Sequence, residues 1–188
     1  MNHFVGATRK EAGKAINNDG FIARGTFGLI MDGAGQAKGV AGKACDTIRA
    51  HLSGTVSLTD ALKMAQAYVL NSGQESTFLG ATLDHAGLLS FASVGDSALY
   101  LMRDGRLARL NENSKPRLGA LNPGITLGTQ PLGRYDTVLL ASDGLTVDRY
   151  RLQEIIKRNM YNPQSLPETI LAAERSAEDD VTVVSLVF

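Results

Sequence analysis

The chain has little of several features that would narrow its function. It has one cysteine, Cys45, among 188 residues, and no tryptophan. A single cysteine excludes an internal disulfide and a cysteine cluster for zinc, and its helical context (AKGVAGKACDTIRAHL) favours a small buried side chain over a reactive thiol.

An excess of charge of either sign is also absent, since lysine plus arginine and aspartate plus glutamate both number 19. With no net positive charge, the sequence does not favour nucleic acid or an anionic membrane as a partner.

Long apolar runs are also missing. No segment approaches the roughly 18 continuous apolar residues that span a bilayer, and the N-terminal sequence MNHFVGATRKE lacks the apolar core of a signal peptide. We therefore expect a cytoplasmic protein. With 188 residues, 44% of them hydrophobic, the chain is long enough for one core and short for two, which predicts a single domain over residues 1–188.

Turn residues and apolar periodicity divide the chain into alternating groups of strands and helices. Gly95-Asp96 and Asp104-Gly105 are predicted hairpin turns, and Ser57 and Asp60 have capping-box spacing at a helix start. This order favours two antiparallel sheets packed together with helices outside. The predicted elements are short strands before residue 32, helices over 37–52 and 59–71, an antiparallel meander over 76–102, an irregular flap over 111–134, the strand TVLLAS, helices over 148–159 and 165–176, and a last strand, DVTVVSLVF.

Four aspartates lie at the edges of apolar runs. They are Asp19, Asp32, Asp143 and Asp179. Carboxylates just past strand ends, beside glycines that allow close approach, are typical of an oxygen-ligand site for Mg²⁺ or Mn²⁺. Any one Asp-Gly pair is better explained by turn chemistry, but the ordered set favours a metal site.

The chain contains five short motifs, each at a predicted strand boundary. They are Asn17-Asn18-Asp19, Asp32-Gly33-Ala34-Gly35, Gly95-Asp96-Ser97, Ser142-Asp143-Gly144 and Asp179-Asp180. One such motif alone is a weak signal, whereas five in this order are specific. In them the sequence resembles the PPM family of metal-dependent protein phosphatases, the type 2C-like serine/threonine phosphatases, whose motifs are N-E-D, D-G-x-G, G-D-S, S-D-G and D-N.

The resemblance implies a compact, bacterial-type member with an α+β fold, a four-layer αββα sandwich of two antiparallel sheets flanked by helices. It also implies a binuclear Mn²⁺ or Mg²⁺ site at one edge of the sandwich. Asp32 would bridge the two ions, Asp143 and Asp179 would hold one, the Gly33 carbonyl would help to hold the other, and Asp19 would act mainly through bound water. Two cations are needed because a phosphate monoester dianion repels hydroxide and because they acidify a bound water.

Two departures from the family pattern concern phosphate binding and the leaving group. Where the family usually has an arginine that forks onto the substrate phosphate, this chain has Lys14, a point charge without bidentate geometry. We take Lys14 as the catalytic phosphate contact beside Asp32 and Asp143, with Arg9 as an alternative. Ala34 replaces the histidine that is common in eukaryotic relatives, which leaves water to protonate the leaving oxygen.

Two further departures concern Asp96 and Asp180. Asp96 matches the family's aspartate for a third, weaker metal ion, although a Gly-Asp-Ser turn explains it equally well. The second aspartate that completes this site in many bacterial members is missing, since the sequence between Gly105 and Tyr135 contains none. Asp180 stands where many relatives have asparagine, and the D-D-x-T form resembles the branch that includes stage II sporulation protein E and related sigma-factor regulators.

The resemblance therefore predicts an enzyme that hydrolyses phosphoserine or phosphothreonine in proteins by attack of metal-bound hydroxide. Its partners would be a phosphoprotein substrate, with a separately encoded kinase or a sigma-factor regulator as further candidates. One alternative is a weak or inactive phosphatase-like module that binds a phosphoprotein. Another is a phosphatase for a small metabolite, which would need a more enclosed pocket than a short flap provides.

Overall fold

A computed structural model describes residues 3–34, 39–51, 57–175 and 178–188 of the chain. Strands and helices alternate in groups along this described part. A short 3₁₀ helix, Pro163–Ser165, precedes the last α-helix. The elements are β1 (Val5–Arg9), β2 (Asp19–Arg24), β3 (Phe27–Asp32), α1 (Val40–His51), α2 (Leu58–Ser72), β4 (Phe78–Leu83), β5 (Leu88–Val94), β6 (Ala98–Arg103), β7 (Arg106–Arg109), β8 (Thr126–Pro131), β9 (Thr137–Ala141), α3 (Arg149–Asn159), α4 (Leu166–Ala173) and β10 (Val181–Val187).

The strands form two five-stranded sheets, in the orders β1-β10-β9-β6-β7 and β2-β3-β4-β5-β8. Every pair of neighbours is antiparallel. Helices α1 and α2 pack on the sheet that contains β3, and α3 and α4 pack on the sheet that contains β9. The predicted four-layer αββα sandwich is confirmed.

Alternation along the strands produces the layers between these elements. In β3, Phe27, Leu29 and Met31 face the helices, whereas Ile30 faces the other sheet. Because successive side chains of a strand point to opposite faces, Asp32 lies on the same side as Ile30. The strand therefore ends by directing a carboxylate toward the space between the two sheets.

The two predicted hairpin turns have different outcomes. Asp104 and Gly105 join β6 to β7 with positive φ of 48° and 76°, as expected for a type I′ turn. The hairpin predicted at Gly95-Asp96 is wrong, because β5 pairs with β4 and β8 while β6 pairs with β7 and β9. The chain crosses between sheets there. Gly95 has φ +100° and lies against Thr77, so the glycine permits a sharp bend without deciding which sheet the next strand joins.

The predicted irregular flap also contains regular structure. Residues Thr126–Pro131 form the edge strand β8, which pairs with β5. Its residues alternate between exposed and half-buried, with Leu127 72% exposed, and Gly128 lies under the ring of Phe91. The strand buries no large side chain of its own, which explains why the sequence pattern did not reveal it.

The helix predictions hold within a few residues. Ser57 caps α2 by accepting a hydrogen bond from the Asp60 backbone N–H, and Cys45 is buried in α1 as expected. Parts of three predictions lie outside the described residues: the ends of the first helix at 37 and 52, the end of the last helix at 176, and Gly35. Among the described residues, no helix has the length and apolar character needed to cross a bilayer.

Candidate metal centre

The first two candidate ligands come from the sheet that carries α1 and α2. Asp19 is the first residue of β2 and Asp32 is the last residue of β3, and the two stand directly opposite each other in the antiparallel register. Asp19 lies on the same side of its strand as Phe21, which packs in the layer between the sheets. Both carboxylates are therefore held by strand backbone at one edge of the sandwich.

The other two candidate ligands come from the opposite sheet. Asp143 lies just after β9 and Asp179 just before β10, and because these strands are antiparallel neighbours, both aspartates lie at the same end of the pair. Two hydrogen bonds join the strand ends: the Ser142 N–H donates to the Thr182 carbonyl at 3.0 Å, and the Thr182 N–H donates to the Ser142 hydroxyl at 2.9 Å. The pairing thus aligns the two loops that carry the aspartates.

Burial and proximity shift the ionisation of the innermost carboxylates. Burial is the largest cause of a strongly raised pKa of Asp32, followed by the charges of Asp19 and Asp143. Burial also raises the pKa of Asp19, while the hydroxyls of Thr182 and Ser142 oppose this rise. Since each ionised carboxylate disfavours the ionisation of its neighbours, the cluster favours a proton or a metal cation.

The donor set fits a hard divalent cation. Both carboxylate oxygens of Asp19 are buried, and although the hydroxyls of Thr182 and Ser142 lie near enough to affect the pKa, neither oxygen has a partner with hydrogen-bond geometry among the described residues. An unpaired buried carboxylate is costly unless a cation compensates it. Gly33, whose carbonyl was predicted to help, is buried beside Asp32 and forms a β-bridge with Ser76. Within the described ranges, no three acidic, histidine or cysteine side chains converge closely enough to enclose an ion as they stand. Metal ligation by these residues therefore remains a prediction.

Asp180 has a role that the sequence analysis did not identify. Its buried carboxylate accepts hydrogen bonds from the backbone N–H groups of Glu11 and Asn18, each at 2.7 Å. Asp180 thereby fastens the loop between β1 and β2, which carries Lys14, to the start of β10. The signal available in the sequence was a second acidic residue directly beside a candidate ligand.

Lys14 lies beside Asp179, one of the candidate ligands. Its ammonium is 2.5 Å from a Glu11 carboxylate oxygen, 3.3 Å from Asp179 and 3.5 Å from Asp180. The hydrogen bond to Glu11 is the largest cause of a raised pKa, so the ammonium is charged at neutral pH. Arg9, the alternative phosphate contact, donates to the carbonyl oxygens of two residues at the end of α4, Leu171 and Glu174, at 3.1 and 3.0 Å.

Asp96 lies in the crossover between β5 and β6, where it faces a cation that the sequence analysis missed. The guanidinium of Arg117 is 2.6 Å from a carboxylate oxygen of Asp96. The two side chains are 22% and 27% exposed, respectively. The only signal in the sequence was an arginine within the flap.

Comparison with known proteins gives one family match. The family model described as stage II sporulation protein E (SpoIIE) matches residues 29–188. This range includes Asp32, Asp143 and Asp179 but begins after Lys14 and Asp19. A comparison with curated proteins finds no match.

Solved structures of phosphatases share the fold over the whole chain. The Mycobacterium tuberculosis serine/threonine phosphatase PstP/Ppp is 19% identical, with 100% of this chain and 99% of that chain covered and a TM-score of 0.82. The PPM Ser-Thr phosphatase MsPP from Mycobacterium smegmatis, solved with cacodylate, is 20% identical over 97% of both chains with a TM-score of 0.79. The catalytic domain of PstP in complex with two manganese ions is 22% identical over 100% of this chain and 99% of that one, with a TM-score of 0.78. At these identities the likeness establishes the fold.

Proposed function

Because the chain belongs to the stage II sporulation protein E family, we propose that it is a metal-dependent protein serine/threonine phosphatase formed by one domain over residues 1–188. The observation that supports the proposal is that four aspartates from two sheets lie at the same edge of the sandwich, with both oxygens of Asp19 buried and unpaired among the described residues. Neighbouring carboxylates disfavour each other's ionisation unless a cation compensates them. A phosphoprotein is the proposed substrate and the cytoplasm the proposed compartment.

The proposed cofactor is a pair of Mn²⁺ or Mg²⁺ ions. Asp19, Asp32, Asp143, Asp179 and the Gly33 carbonyl would hold them, since carboxylate and carbonyl oxygens are the ligands these ions prefer. When bound, the ions supply charge neutralisation for a phosphate and a lowered pKa for a water. The PstP catalytic domain solved with two manganese ions supports this choice of cofactor.

The proposed task of Lys14 is to hold the substrate phosphate. Its ammonium lies on the loop that Asp180 fastens to the start of β10, 3.3 Å from Asp179. Glu11 and Asp180 hold it there and also compete for its charge. We therefore assign to Lys14 a positioning contact with one phosphate oxygen rather than a bidentate clamp.

Replacement of Asp143 by asparagine tests the proposal. Metal-stripped protein is titrated with Mn²⁺ and then Mg²⁺ while hydrolysis of an aryl phosphate and of a phosphothreonine peptide is followed. We expect metal-dependent turnover in the wild type and a loss of about 100-fold or more in Asp143→Asn, because a charged ligand is removed. Asp104→Asn is the matched control, since it removes the same charge at the β6–β7 turn and asparagine tolerates the positive φ of 48° there.

The results separate the proposal from its alternatives. Equal turnover in Asp143→Asn and the wild type would refute the metal assignment. Mn²⁺ binding without turnover would instead favour a regulatory module that binds a phosphoprotein, an alternative supported by the engagement of Lys14 with Glu11. Faster hydrolysis of small phosphate esters than of any phosphopeptide would favour a metabolite phosphatase.

A further inference from the structure

The Arg117–Asp96 pair lies beside the candidate metal centre. Burial is the largest single influence on the pKa of Arg117 and lowers it, but the hydrogen bond to Asp96 and the charges of Asp96, Asp32 and Asp143 together raise it. The guanidinium therefore lies within electrostatic reach of two proposed metal ligands as well as of Asp96. It is a fixed positive charge at the edge of an acidic cluster.

The backbone holds this guanidinium in place. Leu118, the next residue, is fully buried and exchanges backbone hydrogen bonds with Ser76 at 3.0 and 3.3 Å. Ser76 in turn bridges to Gly33 and donates its hydroxyl to the Asp32 carbonyl at 2.8 Å. Arg117 is thus linked to Asp32 by a short, continuous series of contacts through Leu118 and Ser76.

Helix α2 fixes the other side of the same segment. The Gln66 side chain accepts a hydrogen bond from the Gly119 N–H at 3.1 Å and donates one to the Ala120 carbonyl at 2.6 Å. Gly119 has φ +98° and lies so close to the Gln74 carbonyl that an added Cβ would be 2.1 Å from its oxygen. The backbone around Arg117 is therefore determined by packing from both sides.

The pair also leaves two polar atoms unused. One carboxylate oxygen of Asp96 and the Nε of Arg117 are buried without a hydrogen-bond partner among the described residues. An ordinary surface salt bridge would leave such atoms to solvent. Here an unpaired donor and an unpaired acceptor lie beside an acidic cluster that favours cations.

We propose that Arg117 is the cation that neutralises Asp96, at the position where the resemblance to the PPM family implies a third metal ion. This inference rests on the proposed function for its setting, but it concerns residues of this chain alone. The guanidinium neutralises Asp96 and keeps a divalent ion away from it by charge repulsion. Loss of the guanidinium charge exposes a carboxylate that is ready to take part in binding an ion.

The test counts the Mn²⁺ ions bound per chain from the electron paramagnetic resonance signal of free Mn²⁺, starting from metal-stripped protein. Arg117→Gln removes the charge while keeping most of the side-chain length, and Arg117→Lys is the matched control that keeps the charge. We expect Arg117→Gln to bind one more ion than the wild type, with an affinity weaker by about tenfold or more than that of the tightest ion. We expect the double variant Arg117→Gln/Asp96→Asn to lose the additional ion and Arg117→Lys to bind the same number as the wild type.

An equal count in Arg117→Gln and the wild type would overturn the inference. The single variant Asp96→Asn provides an independent test: the inference predicts an unchanged count, whereas the loss of one ion would mean that Asp96 already holds a metal ion and would contradict it. The count in the wild type tests the proposed function separately. A wild type that binds no Mn²⁺ would refute the proposed binuclear centre. An additional ion in Arg117→Gln would still support the role of Arg117.

Discussion

Two adjacent aspartates illustrate how identical side chains acquire different roles. Asp180 is 2% exposed, and its carboxylate accepts hydrogen bonds from two backbone N–H groups. The Asp179 side chain, by contrast, is 52% exposed and faces Lys14. The difference follows from the hydrogen bonds that each carboxylate makes, since Asp180, which directly precedes β10, is held by the backbone of the loop between β1 and β2. Asp180 therefore holds two segments of backbone together, whereas the exposed carboxylate of Asp179 is available to a ligand.

Lys14→Ala should mainly raise the KM for a phosphopeptide, by about 10-fold, with a smaller change in kcat, because a phosphate contact present before and during reaction is lost. Lys14→Arg should retain activity, since a guanidinium can reach the same oxygen. Steady-state kinetics with saturating Mn²⁺ measures both. A fall in kcat at unchanged KM would contradict a role in substrate binding.

The Asp32 carboxyl should make the metal-free protein less stable as the pH rises. Its pKa in the folded state is raised above the ordinary value of 3.8, chiefly by burial, so the folded state retains a proton that the unfolded state releases. Stability from this source is complete below about pH 4 and declines above it. In chelator, Asp32→Asn should therefore be more stable than the wild type at pH 7, by about 1–2 kcal/mol.

Urea unfolding at several pH values between 4 and 8 measures this difference. The gap between Asp32→Asn and the wild type should widen with increasing pH and should reverse when Mn²⁺ is added, because the ions stabilise only the protein that binds them. A gap that does not change with pH would show that the carboxyl ionises as freely in the folded protein as in the unfolded chain.

At the scale of elements, the loop after β9 is held against the start of β10 by close packing. A Cβ at Gly144 would be 2.1 Å from the Asp180 carbonyl oxygen and 3.3 Å from the Asp179 Cβ. Glu174, at the end of α4, supports the same loop by accepting hydrogen bonds from the backbone N–H groups of Thr146 and Val147. The position of Asp143 therefore depends on a glycine and on a buried carboxylate.

Gly144→Ala should push the Asp143 loop away from β10. We expect a loss of about 1–3 kcal/mol in unfolding free energy from overpacking and a 10- to 100-fold weaker Mn²⁺ affinity, the range seen when groups that support metal ligands are altered. The control is Gly133→Ala, since the contact of its added Cβ, with Asp136, is an ordinary 3.7 Å. Equal Mn²⁺ affinity in both variants would show that the position of the loop after β9 does not affect the metal site.

The limits of sequence analysis are clearest in these connecting elements. Asp104-Gly105 could be placed in a turn because only a tight hairpin needs two positive φ angles in sequence. The crossover at Gly95-Asp96 could not be distinguished from a hairpin, since the choice of sheet depends on distant strands. The partner of Asp96 was equally hidden, because Arg117 reaches it through a flap whose path is set by bridges to Ser76 rather than by its own pattern.

For the whole molecule, the order of strands and helices together with the motif resemblance predicted the αββα sandwich, and the observed sheets confirm it. A short, mostly apolar run is a strong signal wherever a strand packs between two layers, as in β3 and β10. The candidate site could be predicted only as a set of residues, because the convergence of carboxylates requires both sheets to be assembled. The single domain over residues 1–188 stays a prediction, which three successive apolar layers support.

The aspartates at the edge of the sandwich are proposed to hold two divalent ions. Anomalous diffraction from crystals equilibrated with Mn²⁺ would locate such ions directly. We expect two manganese peaks within bonding distance of carboxylate oxygens at this edge of the sandwich, with Asp32, Asp143 and Asp179 among the ligands and no peak at Asp96. Manganese bound only elsewhere, or not at all at saturating concentration, would rule out a metal site formed by these aspartates.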